Sequence, residues 1–110
     1  MTPPASNPPD GFVAVASTVD IPPGRMKCVP VDGTRVLVAN VEGAFYAIGD
    51  MCGHRRAPLS AGKLDGYIVE CPLHYAIFDV RTGKFVDGPN SADVPAYEVR
   101  ADEQTVFVRR

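Results

Sequence analysis

The sequence predicts an all-β domain, built as a small antiparallel β-sandwich or barrel. Short runs of alternating apolar residues recur along the chain, and tight-turn dipeptides separate them. No segment repeats apolar residues at the i, i+3, i+4, i+7 spacing of a helix over three turns, so almost no helix is expected. Ten Gly and eleven Pro among 110 residues also favour a loop-rich β protein over a helical bundle.

About nine strands are expected. Asp32-Gly33 is a strong hairpin signal between two apolar runs, and Glu42-Gly43 turns the chain into the next strand. A structural turn is predicted at residues 79–83 (DVRTG), and a last hairpin is predicted around residues 101–104. The clearest strand-like runs lie at residues 12–16, 26–31, 34–41, 44–48, 63–64, 67–70, 95–100 and 105–109.

The length predicts a single domain at residues 11–110, after a flexible N-terminal lead at residues 1–10 (MTPPASNPPD). This lead has neither the charged nor the apolar region of a signal peptide, and no run approaches the ~20 apolar residues of a membrane helix. The net charge is −2 and no basic stripe occurs, which argues against nucleic-acid binding. If Cys52 and Cys71 bind a metal, only Cys28 is left and no disulfide framework is possible, which fits a reducing cytoplasm. We also expect a monomer with no membrane partner.

Two short clusters hold both histidines and two of the three cysteines, in the order C-x-H-x16-C-x2-H. Each cluster follows a strand-like run, so both are expected at loop tips, in loops at about residues 50–60 and 71–79. Two Cys and two His suit either tetrahedral zinc or an iron–sulfur centre. A Cys2His2 zinc finger pairs like with like, whereas each loop here offers one thiolate and one imidazole. Two such loops, facing each other, can give one iron both thiolates and the other iron both imidazoles.

The stretches CGHRRAPLSAG and LDGYIVECPLHYAIFDVRTGK resemble the Rieske family, especially its small stand-alone ferredoxins. The resemblance implies a Rieske-like fold whose cluster-binding subdomain is made of two loops. It also implies one Rieske-type [2Fe–2S] cluster per chain as the cofactor. Cys52 and Cys71 would bind one iron, and His54 and His74 would bind the other. An oxidised core with two thiolates and two neutral imidazoles sums to zero charge, so it accepts an electron more readily than a four-thiolate core at −2.

Further comparison with the family pattern predicts a reduction potential at the low end of the Rieske range. High-potential members carry a bridged cysteine in each loop, and the corresponding positions here are Ala57 and Leu73. Those members also place hydroxyls at the second and fourth residues after the last histidine, where this chain has Ala76 and Phe78. Neither side chain donates a hydrogen bond to a cluster sulfur, so the reduced core is less stabilised.

Several other residues near the clusters have more than one interpretation. Tyr75 either lines a docking surface beside His74 or covers a loop edge, and Arg55 and Arg56 either steer an acidic partner or are solvated. The segment at 88–90 (GPN) resembles the Pro-containing loop that covers the cluster in the family. Cys28 lies in a strand-like run and is expected to be a small buried side chain rather than a ligand.

The sequence lacks the ligands and motifs that several enzyme functions require. A Rieske oxygenase also needs a mononuclear iron site, but both histidines of this chain are already assigned. No GxGxxG motif follows a strand and no P-loop occurs, so the chain is expected to be an electron carrier and not an enzyme. The resemblance implies transfer of single electrons from a flavin-dependent reductase to a terminal Rieske non-haem iron oxygenase in aromatic ring dihydroxylation. Transient docking would occur near His54 and His74.

Two other functions stay open at this point. One is the Rieske-like small subunit of an assimilatory nitrite reductase, which would associate tightly with a haem-containing partner. The other is a zinc-stabilised interaction module without a redox role, which would be colourless and contain zinc.

Overall fold

A computed structural model describes residues 9–50, 58–72, 75–88 and 92–109. In these ranges the predicted all-β class is confirmed, because they contain strands and two short 3-10 turns (Thr18–Asp20 and Leu59–Ala61) but no α-helix. No helix in the described part of the chain is long and apolar enough to cross a membrane. Residues 1–8, most of the predicted lead, lie outside the described ranges. The strands are β1 Phe12–Ser17, β2 Met26–Val31, β3 Thr34–Val41, β4 Ala44–Gly49, β5 Lys63–Asp65, β6 Ile68–Glu70, β7 Ile77–Asp79, β8 Phe85–Asp87, β9 Ala96–Tyr97, β10 Val99–Ala101 and β11 Thr105–Arg109.

The strands form three antiparallel sheets, with strand orders β2-β3-β4-β9, β1-β11-β10 and β5-β6-β7-β8. Strand β3 serves two hydrophobic cores, because successive side chains of a strand point to opposite faces. Val36 and Val38 pack with β11 in one core, whereas Leu37 and Ala39 pack with β6 and β7 in the other. A strand covered on both faces reads as a nearly continuous apolar run, as VLVANV does apart from the buried Asn40. The core that β3 shares with β6 and β7 also contains Cys71.

Two predicted hairpin turns are confirmed by their backbone angles. Asp32 and Gly33 both have positive φ (49° and 80°), as do Glu42 and Gly43 (54° and 94°). Positive φ at both central residues is the type I′ geometry, which matches the twist of the flanking strands and suits Gly at the second position. These turns set the registers of β2 with β3 and of β3 with β4.

The predicted strand at 95–100 is divided in the structure. Its first half, β9, pairs with β4, and its second half, β10, pairs with β11. Tyr97 and Val99 both pack against the core that β3 shares with β11, so the chain crosses this core from one sheet to the other. A single alternating run in the sequence does not show that its two halves have different partners.

Candidate metal centre

The second predicted cluster loop begins at Cys71, which follows directly after β6. Its side chain is fully buried beside apolar residues of the core, and the thiol forms no disulfide. The Cys71 N–H donates to the Ala76 carbonyl oxygen (2.8 Å), and the Tyr75 N–H donates to the Cys71 carbonyl oxygen (3.0 Å). These two hydrogen bonds close the ends of the loop that carries Cys71 and His74. Residues 73 and 74 themselves lie outside the described ranges.

The first predicted cluster loop is closed at its ends by Asp50, which follows β4. The Asp50 carbonyl oxygen accepts a hydrogen bond from Leu59 N–H, and its Oδ1 accepts one from Ser60 N–H at 2.8 Å. Residues 51–57, with the predicted ligands Cys52 and His54, lie outside the described ranges. The backbone and side chain of one residue therefore hold together the two ends of this loop.

The Asp50 carboxylate is fully buried and has donors from two further positions in the central sheet. Arg35 of β3 donates from Nε and Nη2 to Oδ2, at 3.3 and 3.1 Å. Cys28 of β2 forms a hydrogen bond to the same carboxylate; burial raises the pKa of the Cys28 thiol, and this hydrogen bond and the charge of Asp50 raise it further. A buried carboxylate requires such donors, since an uncompensated buried charge is costly. Cys28 is half-buried, rather than fully buried as the sequence predicted.

Gly62 brings the end of the first loop against the start of the second. A Cβ at Gly62 would overlap the carbonyl oxygen of Glu70, the residue before Cys71. The absence of a side chain at Gly62 lets the two backbones approach, which is a common use of glycine. A groove between them is lined by Ala61, Gly62, Lys63, Glu70, Cys71, Pro72 and Tyr75.

A third segment packs on the second loop at Gly88. A Cβ there would lie 2.9 Å from Ala76 Cα and 3.1 Å from the Tyr75 carbonyl oxygen. Gly88 is the first residue of the predicted covering segment at 88–90, and its residues 89 and 90 lie outside the described ranges. The structure thus brings the start of that segment onto the loop that begins at Cys71.

The two positions linked to a low potential are both buried apolar side chains. Ala76 lies in the core next to the second loop, and Phe78 lies deeper, edge-to-face with Phe85 at 5.9 Å between ring centroids. Their side chains contain no hydrogen-bond donor. Ala57 and Leu73, the positions of the missing bridge, lie outside the described residues.

Among the described residues of the second loop, Tyr75 has a left-handed backbone conformation. Its φ is +59°, a region that costs an L-residue about 1–2 kcal/mol. Its side chain is 66% exposed, so burial of the ring does not offset that cost. Arg55 and Arg56 belong to the undescribed part of the first loop. The predicted turn at residues 79–83 is confirmed: Arg81 N–H donates to Asp79 Oδ1 and Gly83 N–H to the Asp79 carbonyl oxygen.

Of the four predicted ligands, the structure describes Cys71 alone. In the described ranges no group of three or more potential ligands lies together. Cys52, His54 and His74 lie outside those ranges, so the ligand set stays a prediction. The donor chemistry fits an iron–sulfur centre, because soft thiolates and imidazoles are its ligands and the described thiol is buried and unpaired.

Sequence reasoning missed Asp50 and Gly62, which hold the loop ends. Each has a weak signal: Asp50 stands two residues before C-x-H, and Gly62 ends the APLSAG stretch. Acidic residues and glycines are common in loops, so neither signal indicates a buried carboxylate or a close backbone approach.

Comparison with known proteins assigns the family. Residues 11–98 match the Rieske [2Fe-2S] domain. The chain is 37% identical to the ferredoxin component of the naphthalene 1,2-dioxygenase/salicylate 5-hydroxylase systems of Ralstonia sp, over 89% of this chain and 94% of that protein. It is 39% identical to the biphenyl dioxygenase ferredoxin subunit of Pseudomonas sp. (strain KKS102), over 88% and 90%.

Solved structures agree with this assignment. The ferredoxin of carbazole 1,9a-dioxygenase from Nocardioides aromaticivorans IC177 superposes with a TM-score of 0.86 at 35% identity, covering 91% of this chain and 98% of that one. A chain from a complex of reduced oxygenase and oxidized ferredoxin in carbazole 1,9a-dioxygenase superposes with a TM-score of 0.84 at 34% identity, covering 92% and 94%. With the domain match over residues 11–98, the sheets and these relatives in agreement, the chain belongs to the Rieske [2Fe-2S] domain family.

Proposed function

We propose that this chain is a Rieske ferredoxin, an electron carrier rather than an enzyme. It takes single electrons from a flavin-dependent reductase and passes them to the terminal oxygenase of an aromatic-ring-dihydroxylating system. One observation carries the proposal: relatives named as ferredoxin components of dioxygenase systems align over nearly the whole length of both chains. The alternative of a nitrite reductase small subunit gains no support from these relatives.

The proposed ligands are Cys52 and Cys71 on one iron and His54 and His74 on the other. When bound, a [2Fe–2S] cluster supplies one-electron transfer at a potential set by its ligands and surroundings. The buried position of Cys71 and the close approach of the two loops at Gly62 support this assignment. A zinc site is disfavoured by the family membership.

Residues around the proposed cluster set its environment. The apolar core around Cys71 excludes water from the Cys71 thiol. The side chains of Ala76 and Phe78 donate no hydrogen bond to a cluster sulfur, which favours a low reduction potential and makes the reduced protein a strong reductant. Such a carrier delivers electrons to an oxygenase, rather than drawing them from a high-potential source.

The proposed partners are the reductase and the oxygenase, each docking briefly near His54 and His74. The exposed ring of Tyr75, directly after His74 in the chain, supports a docking surface at this end. A brief encounter fits a small interface, which is usual for electron-transfer pairs. We further propose a monomer in the cytoplasm, with one domain at residues 11–110.

Reconstitution tests the proposal. The holoprotein is mixed with purified reductase, NADH and the terminal oxygenase of a ring-dihydroxylating system, and product is measured with and without it. The proposal expects product only when the protein is present, and oxidation of the dithionite-reduced protein by the oxygenase alone. Failure of the reduced protein to transfer electrons, or its isolation in a tight complex with a haem protein, would contradict it.

A matched pair of variants tests the docking surface in the same assay. Tyr75→Ala and Val19→Ala each truncate an exposed large hydrophobic side chain, and Val19 belongs to the turn at Thr18–Asp20, outside both cluster loops. We expect the apparent KM for the ferredoxin to rise for Tyr75→Ala and to stay unchanged for Val19→Ala. Equal effects from the two variants would remove Tyr75 from the docking surface.

A further inference from the structure

Asp50 combines two features that the proposed function does not use. Its carbonyl oxygen and Oδ1 hold the two ends of the first cluster loop, through Leu59 and Ser60. Its Oδ2 pairs with Arg35, so a carboxylate that is 0% exposed faces a guanidinium whose side chain is 56% exposed. The two charges of this pair therefore differ sharply in their contact with solvent.

The buried charge belongs to a residue only two positions before the proposed ligand Cys52. Consecutive Cα atoms are about 3.8 Å apart, so the Cα atoms of Asp50 and Cys52 are separated by at most about 7.6 Å. Solvent screens a buried charge far less than an exposed one. Reduction adds one electron to the centre, and a neighbouring carboxylate opposes it whereas a guanidinium favours it.

We propose that Asp50 is a positioning residue for the first cluster loop, and that the buried Asp50–Arg35 pair tunes the reduction potential of the cluster. Asp50 places the segment with Cys52 and His54 by holding its ends, and its charge lowers the potential. Arg35 offsets that charge and raises the potential. The inference rests on the proposed function only for the presence of the cluster.

The test measures the potential of the holoprotein by dithionite titration, in which dithionite gives up the single electron that the cluster gains. Asp50→Asn removes the negative charge and keeps an oxygen that can accept from Ser60. Arg35→Gln removes the positive charge, and Arg35→Lys retains it. We expect the potential to rise for Asp50→Asn, to fall for Arg35→Gln, and to shift little for Arg35→Lys. The double variant should return toward the wild-type value.

Glu98→Gln is the matched control for loss of one negative charge. Glu98 is half-exposed and pairs with Arg100 and Arg109, in the sheet of β10 and β11. The reduction potential of the Glu98→Gln variant should equal that of the wild type. Iron and sulfide content and the electron paramagnetic resonance spectrum show in each variant whether the cluster is intact.

If the pair had a purely structural role, Asp50→Asn and Arg35→Gln would shift the reduction potential in the same direction, since each loosens the same contact. Shifts of the same sign, or no shift in variants with an intact cluster, would overturn the inference. If Asp50→Asn does not assemble a cluster, the inference is tested by comparing Arg35→Gln with Arg35→Lys. Equal reduction potentials for those two variants would refute the inference. If the reduction potentials of these variants shift in opposite directions but the protein does not support oxygenase turnover, the proposed function is refuted and the inference about the Asp50–Arg35 pair is not.

Discussion

Gly62→Ala should separate the two cluster loops at the point where their backbones meet. The new Cβ would overlap the Glu70 carbonyl oxygen and lie 3.0 Å from its carbon and 3.2 Å from the Leu59 carbonyl oxygen. All three obstacles are backbone atoms, so no side chain can rotate away. Overpacking usually costs about 1–3 kcal/mol, and we expect about 3 kcal/mol here because the strands themselves must shift.

For a domain of this size, about 3 kcal/mol corresponds to a fall of roughly 12 °C in the melting temperature. The assay is thermal unfolding of the holoprotein, followed by far-ultraviolet circular dichroism and by visible absorbance of the cluster. Because Glu70 directly precedes Cys71, we also expect less iron and sulfide per chain in Gly62→Ala than in the wild type.

Gly66→Ala is the matched control, in the turn that connects β5 and β6. Gly66 has a φ of +59°, but no atom lies within 4 Å of its added Cβ. Gly66→Ala therefore adds only backbone strain, which should lower the stability by about 1 kcal/mol and the melting temperature by roughly 4 °C. We expect its cluster content to be full. Equal losses in the two variants, or full cluster content in Gly62→Ala, would refute the idea that contact at Gly62 joins the loops.

Three further results are expected. His74→Cys should lower the reduction potential and change the visible spectrum, because a thiolate adds negative charge to the centre; an unchanged potential would contradict His74 as a ligand. Ala76→Ser should raise the potential if its hydroxyl reaches a sulfur, and no rise with an intact cluster would count against missing donors as the cause of a low value. Arg81 lowers the pKa of Asp79 below its ordinary 3.8, chiefly through a side-chain hydrogen bond at 2.9 Å. The ionised form therefore stabilises the fold above that value, and this contribution is lost as the pH falls through the lowered pKa. Arg81→Gln should flatten the acid decline of the melting temperature below about pH 4, and an unchanged decline would exclude this pair as its source.

The strand assignment shows how far local patterns reach. Asp32-Gly33 and Glu42-Gly43 dictate their turns through the positive φ that each adopts, so β2, β3 and β4 were predictable in position and register. The division of residues 95–100 into β9 and β10 was not predictable, because it depends on which neighbouring strand each half meets.

In the candidate site, too, some features could be predicted from local sequence and others could not. The spacing C-x-H-x16-C-x2-H is a property of the chain itself, and its residue types limited the centre to zinc or iron–sulfur, between which the family resemblance favoured a Rieske cluster. Ligand chemistry depends on residue type and local spacing, so both can be read without coordinates. The family match agrees with that interpretation.

The tertiary structure alone decided what surrounds the two loops. Arg35 and Cys28 come from strands distant in sequence to reach the Asp50 carboxylate, and Gly62 meets Glu70 only because β5 and β6 pair. A buried charge and a close backbone approach depend on partners that folding brings together. The sequence therefore predicted which side chains bind the metal, whereas the packing of the strands decided how the ends of their loops are held and which charges lie beside them.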